Sequence, residues 1–511
     1  MAFFERIRFK RNPDGARIVF LLSALYGCAV FATVAAHVKN VSGVALIYEA
    51  ICRELMNSSV EGRQALIGSV WWPPLPALLR IPFVAFPVAG VRPFASLAVS
   101  ALLGAGALYV FERALRDCKL GWARFPMVLA LAANPFFIDA SGNGTSQTTV
   151  IFFALLVAHS LLQWIMFRKL RFLAHLGVGS ALLLVSSCEM SMWVAVVFLL
   201  LLTDMISSNE NREDLDAVLI LTLLPTVYIF ALWILSNWLV MGDALYFTHS
   251  FVPLFRNSVA HCGTATRISS AHYLTSWTAV VALVVSIARK NRDGIFIGIL
   301  GIVPMLLGLF LASRGVLRPS SPILYCLYPL TILAVVYSAE KQGPDLHLPE
   351  TGLAPLIWPY LLSLVPIVLT AIMILMPNPW GAVSKESEEE VANVSENHSE
   401  LLAAVGRDVR MRSPHSKIYI CGYDSLIMVG PDTNSLFLRS LDLNFNKAKS
   451  DYPGYALYVL IHRPEGRSAM ESIHWKYDGI YDLGAPGILY DSDYGDWRLF
   501  EIIQPDGSDR I

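Results

Sequence analysis

Eleven stretches of this 511-residue chain are long and apolar enough to cross a bilayer, and that constrains its folding more than any other feature. A spanning helix needs about 20 mostly apolar residues. The stretches are 18–36, 94–111, 123–138, 148–167, 172–187, 190–205, 217–239, 274–288, 295–313, 322–338 and 356–376. Lipid offers no partner for a backbone N–H or C=O, so such stretches cross as helices. The expected fold is therefore a polytopic α-helical membrane protein of about eleven transmembrane helices. The pair 172–187 and 190–205 is short and meets near Ser187–Cys188. Segment 73–89 is also apolar, but it carries five prolines and Arg80, which makes it a poor straight helix.

Charge supports the same class. Only 15% of residues are charged, against about 25% in soluble domains. The net charge of -1 excludes a global basic field for nucleic acid. The seven cysteines are scattered without a CxxC, so neither a zinc site nor a disulfide framework is expected. Arg6, Arg8, Lys10, Arg11 and Arg17 precede the first apolar stretch. That stretch is longer than a signal-peptide core of about 7–15 residues, so it reads as an uncleaved anchor with residues 1–17 in the cytoplasm.

Cytoplasmic loops carry excess Lys and Arg, which orients the remaining helices. The basic loops hold Arg113/Arg116/Lys119/Arg124, Arg168/Lys169/Arg171 and Arg289/Lys290/Arg292. All three fall on the cytoplasmic side if 73–89 lies along the outer surface or re-enters without crossing. The transmembrane domain is then 18–376, with outer loops 37–93 and 240–273. A linker at 377–395 follows, and then an extracytoplasmic domain at 396–511. Trp71, Trp72, Trp238, Trp277 and Trp380 come near the outer interface, as aromatic belts do. Asn-X-Ser/Thr triplets at Asn40, Asn57, Asn143, Asn393 and Asn397 also fall outside. Strand-like runs at 417–421, 455–461 and 497–503, separated by turn-rich stretches, predict a small α/β domain.

Ionisable residues gather at one face. Glu49, Glu54, Asp139 and Glu189 lie at or near the outer boundary with Arg53, Arg63, Arg80, His249, Arg256, His261, Arg267, Arg314 and Arg318. Transporters keep paired charges at mid-membrane. A one-sided arrangement suits a site acting at the membrane–water boundary on a lipid-borne substrate. Guanidinium groups match phosphate oxygens, and a carboxylate serves as base toward an acceptor hydroxyl or amine. Each residue also has a structural alternative. Glu49 and Arg53 are spaced for a local i,i+4 salt bridge. Glu189 stands where it caps a helix break, Asp139 marks a helix end, and the outer arginines can hold anionic headgroups. His249 and His261 lack metal-ligand spacing, and the acidic run 386–390 reads as a solvated linker.

Five local patterns, in this order, resemble the GT-C superfamily of membrane glycosyltransferases. They are YEAICREL (48–55), WWPPLPALLRIPF (71–83), NPFFIDASGNGTSQ (134–147), SSCEMSMW (186–193) and NWLVMGDALYF (237–247), the last being the most specific. The resemblance implies transfer of a sugar from a polyprenyl-phosphate donor to an extracytoplasmic glycan, lipid or protein, at a bacterial inner or cell membrane. It implies no nucleic-acid partner and no certain cofactor beyond the lipid-linked donor; a divalent metal is compatible with it. The family's catalytic carboxylate does not carry over by position; the outer carboxylates that could take its place are Glu49, Glu189, Asp139 and Asp243. Arg53, Arg256 and Arg267 are the candidates for the lipid phosphate. Tyr48, Asn143, Asp243 and Tyr246 are candidates for positioning the acceptor or the outer loops. The chain also departs from the pattern: the family's acidic residues before the first-loop tyrosine are replaced by Val44–Ala45, and one family glutamate by Gln147. Two rival readings follow, an inactive relative acting in envelope assembly and a transporter of lipid-linked intermediates.

Overall fold

The computed structural model describes residues 20, 22–31, 43–70, 72–85, 94–118, 120–207, 212–251, 270–313, 321–339, 354–375, 397–429, 436–464, 468 and 471–503. An N-terminal helical domain is built from α1 (Leu22–Phe31), α2 (Gly43–Met56), α3 (Val60–Ile67), α4 (Pro74–Val84) and α5 (Phe94–Asp117). It continues through α6 (Arg124–Ala132), α7 (Pro135–Gly142), α8 (Gln147–Phe167), α9 (Leu170–Leu184), α10 (Ser191–Ser207) and α11 (Arg212–Met241). The last helices of this part are α12 (Ser270–Ala288), α13 (Arg292–Ser313), α14 (Pro322–Tyr325), α15 (Leu327–Ala339) and α16 (Ala354–Leu375).

Among the described residues, seven helical spans are long and apolar enough to cross a membrane, or eight with one bent pair. The protein is thus an integral membrane protein, but the count of eleven crossings is not reproduced. The difference has local causes. The stretch 123–138 is not one helix: α6 and α7 meet at a 58° bend. Pro135 lacks the N–H that would continue α6, and the Asn134 side chain accepts from the Phe136 and Phe137 amides, starting a new helix. Helix α9 is shorter than a full span. The proline-rich 73–89 does form a helix, α4, because Pro74 and Pro76 fall in its first turn, where no amide partner is lost.

Helices α8 and α15 are apolar all round and sit in the core. Helix α11 is equally apolar, yet only 17% of its span is covered by the described residues, the exposure expected of a lipid-facing helix. The three basic loops come together at one end of the bundle. Asp204 is fully buried there and binds Arg168 at 2.5 Å and Arg292 at 2.6 Å. Arg124 pairs with buried Glu112 at 2.9 Å, and the Tyr337 hydroxyl reaches the Ala114 carbonyl.

The C-terminal domain opens with α17 (Asn397–Arg412) and carries a mixed sheet of β1 (Ser416–Cys421), β2 (Phe437–Ser440), β3 (Ala456–His462), β4 (Ile488–Tyr494) and β5 (Trp497–Ile502). The strand order is β2-β1-β3-β5-β4; β1 is parallel to β2 and β3, and β5 is antiparallel to β3 and β4. Side chains alternate across it. Ile418 and Ile420 pack under Val405 and Val409 of α17. Tyr419 and Cys421 pack on the opposite face with Phe445, Ile473 and Ile480. Short helices α18 (Ser425–Met428), α19 (Phe445–Asp451), α20 (Ser472–Lys476) and α21 (Ile480–Leu483) complete the domain. The carboxyl ends of β1 and β2 face the helical domain, because Tyr423, Leu426 and Arg439 pack on α2 and α3.

Candidate functional site

The site is built from the first of the five patterns outward. Helix α2 buries the face bearing Ala45, Tyr48, Glu49 and Cys52. Glu49 receives a hydrogen bond from Arg53 at 3.0 Å; the glutamate is buried while Arg53 is 44% exposed, so its remaining N–H groups reach the surface. Burial pushes the Cys52 thiol up to about 12, so it is an inert thiol with its Sγ on the Ala77 carbonyl.

Arg80 of α4 lies behind this helix and is fully buried. Its guanidinium sits over the Tyr48 ring, 4.6 Å from the centroid. Its Nε donates to Ser96 at 2.9 Å, Nη1 to the Pro76 carbonyl, and Nη2 to the carbonyls of Gly144 at 2.6 Å and Thr145 at 2.9 Å. Glu49 lies near enough to act on it electrostatically. Arg80 therefore ties α2, α4 and α5 to the turn between α7 and α8. Gly144 in that turn has φ +74°, and a Cβ there would lie 2.8 Å from that of Ala45. Left-handed backbone and close approach both call for glycine.

The turn also holds the second carboxylate. Asn143 donates from Nδ2 to Asp139 at 3.2 Å and to Gln147 at 2.7 Å, while its Oδ1 accepts from the Thr145 amide and hydroxyl. Asp139 also accepts from the Tyr325 hydroxyl at 3.0 Å. Tyr325 ends α14, and Ser321 immediately before α14 donates to Glu189. Glu189 stands in the 3-10 turn Cys188–Met190 between α9 and α10. Glu49, Asp139 and Glu189 are thus strung along one end of the bundle, opposite the end where Asp204 gathers the basic loops. They are joined through Tyr48, Arg80, the 143–145 turn, Tyr325 and Ser321.

Asp243 and Tyr246 form a separate group. Gly242 ends α11 at φ +75°, and Asp243 caps the next turn by accepting from the Leu245 amide at 2.9 Å. Tyr246 and His249 lie against Trp475 of α20, with ring centroids 6.0 and 5.2 Å away. Burial, with Asp442 beside it, holds the Tyr246 phenol above its usual range. The aromatic and capping roles account for the NWLVMGDALYF pattern: Asn237 donates to the Trp233 carbonyl at 3.0 Å, and Phe247 stacks on Trp233. Arg256, Arg267 and His261 lie outside the described residues. No group of three or more His, Cys, Asp or Glu among the described residues is arranged to hold a metal ion.

Position in the sequence did not single out Tyr325, Ser321, Tyr423 or Arg439, and it placed Arg80 and Trp72 only at the outer boundary. The signal for Arg80 was a lone arginine in an apolar, proline-rich segment, which marks the residue but not its partners. Nothing local marks Tyr423 or Arg439, whose roles come from a contact made across the whole chain.

No protein-family profile and no curated protein matches this chain. Among solved structures it is similar to the crystal structure of ArnT from Cupriavidus metallidurans in the apo state. The TM-score is 0.45 and the sequence identity 13%, over 97% of this chain and 100% of that one.

Proposed function

We propose that this chain is a membrane glycosyltransferase. It moves a sugar from a polyprenyl-phosphate donor to an acceptor hydroxyl or amine on the extracytoplasmic side. The observation that carries the reading is the buried Glu49 beside the half-exposed Arg53, at the bundle end where Asp139 and Glu189 also gather.

In such a transfer the acceptor attacks the anomeric carbon while the bond to the phosphate oxygen breaks. The acceptor proton needs a base, and the phosphate leaves carrying charge. Glu49 is the base in this reading and Arg53 holds the departing phosphate, with Arg256 and Arg267 as further phosphate partners. Asp139 and Glu189, each already holding a hydroxyl, position the acceptor side. Docking of the C-terminal domain over α2 and α3 excludes water, which limits hydrolysis of the donor.

The test is a transfer assay on purified protein in lipid, with a panel of polyprenyl-phosphate sugars, following release of free lipid phosphate. Glu49→Gln is expected to lower release by about 100-fold or more, the usual range for a lost general base. Full release by that variant would remove Glu49 from the role. A second reading, an inactive relative, is favoured by one feature. Ala45 is fully buried against the Gly144 turn, where the resemblance would place an acidic side chain. Val44 is only half-buried. Release that appears only in Val44→Asp would favour this second reading.

A further inference from the structure

The contact between the two domains is ordered side chain by side chain. Tyr423, just past β1, stacks on Trp72 with centroids 4.9 Å apart and planes 22° apart. Trp72 meets Tyr48 edge-on at 5.4 Å, and Tyr48 lies under the Arg80 guanidinium. The Tyr423 hydroxyl donates to the Ala65 carbonyl of α3 at 3.3 Å, and its amide is held by Glu471 at 3.1 Å. Beside this stack Arg439 of β2 binds Glu54 of α2 at 2.6 Å, and both side chains are nearly buried. Tyr48 and Glu54 flank Glu49 and Arg53 on the same helix. Four side chains thus run without a gap from the C-terminal sheet to the cage behind Glu49, and an ion pair fixes the far end of that helix.

We infer that Tyr423 and Arg439 are positioning residues: the C-terminal domain sets the placement of α2, and with it Glu49 and Arg53, through the Tyr423–Trp72–Tyr48–Arg80 stack and the Arg439–Glu54 pair. The effect on turnover rests on the transferase reading above; the mechanical coupling does not. A domain that only capped the bundle for stability would need buried apolar area, but not a stacked series leading to the cage nor a buried ion pair aimed at the site helix.

The experiment uses full-length protein in lipid nanodiscs and reads hydrogen exchange of residues 43–56 alongside donor turnover. Tyr423→Leu and Arg439→Glu are each expected to speed exchange across 43–56 by tenfold or more, leaving the protected amides of α5 and α8 unchanged. Tyr423→Phe keeps the ring and is expected to behave as the parent. Pairing Glu54→Arg with Arg439→Glu is expected to restore protection that either change alone removes. Turnover is expected to fall in kcat with KM little changed, and to recover in the paired variant. Unchanged exchange in Arg439→Glu and Tyr423→Leu would overturn the inference, as would failure of the reversed pair to restore it. Should Tyr423→Leu not fold, the Tyr423→Phe and charge-reversal arms decide alone. If exchange responds as expected while the parent turns over no donor, the coupling stands and the transferase reading fails.

Discussion

Gly144 shows how one residue without a side chain organises the candidate site. Its left-handed backbone turns the chain so that two successive carbonyls point at Arg80, and its missing Cβ lets Ala45 close in. Gly144→Ala brings both a backbone cost and an overlap with the Ala45 Cβ, together about 1–3 kcal/mol. A lowered thermal transition in detergent is the expected readout. Ala45→Gly in the same chain should recover the part due to overlap and leave the part due to φ. Asp139 and Glu189, by contrast, each accept from a hydroxyl, Tyr325 on one and Ser321 on the other. Proximity in sequence pairs Glu49 with Arg53 and hides both of these pairings.

At the scale of elements, hydropathy located the apolar segments that form the seven described spans, and the three basic loops share one end of the bundle. Hydropathy did not reveal the bend between α6 and α7, although its cause, Asn134 followed by Pro135, is local. Capping signals inside an apolar run are masked by the run itself. Strands β1, β3 and β5 were readable because each is a short, mainly apolar run between turn-rich stretches. The edge strands β2 and β4 were not, since an edge needs less apolar content: β4 reads ILYDSDY, with most of its residues partly or fully exposed. Helix α20 carries a pH-sensitive element. Burial, and then the nearby His462, hold the His474 imidazole down to about 4 from its ordinary 6.5. The folded state therefore keeps it neutral, and its contribution to stability is complete above about pH 6.5. That contribution is lost as pH falls from there toward 4, where the unfolded chain binds a proton that the folded chain refuses. Melting of the C-terminal domain should drop between pH 7 and 5, and His474→Gln should flatten that slope.

Considered whole, the molecule is a lipid-embedded bundle with a charge-paired end, an opposite end lined by three carboxylates, and a soluble domain seated on the latter. The seat is apolar as well as ionic: Trp72, Ala77, Ile47 and Ile51 form one buried cluster with Tyr423 and Leu426. A chain ended at residue 396 would leave that cluster bare. Its expected behaviour is aggregation in mild detergent, visible as void-volume protein in size-exclusion chromatography, whereas the full chain elutes as a single species. That the C-terminal domain lies over the site could be expected from the sequence, but the residues of the seat could not, because they are far apart in the chain.

The Tyr423–Ala65 contact joins residues 358 positions apart. Ribosomes add about 5–20 residues per second, so Trp72 and Tyr48 wait roughly 20 to 70 s after synthesis for their partners to emerge. During that interval α2–α4 stand as an apolar ledge at the membrane surface, sheltered by lipid headgroups or by whatever escorts the nascent chain. Closure of this contact thus waits in biogenesis for the C-terminal domain to emerge from the ribosome.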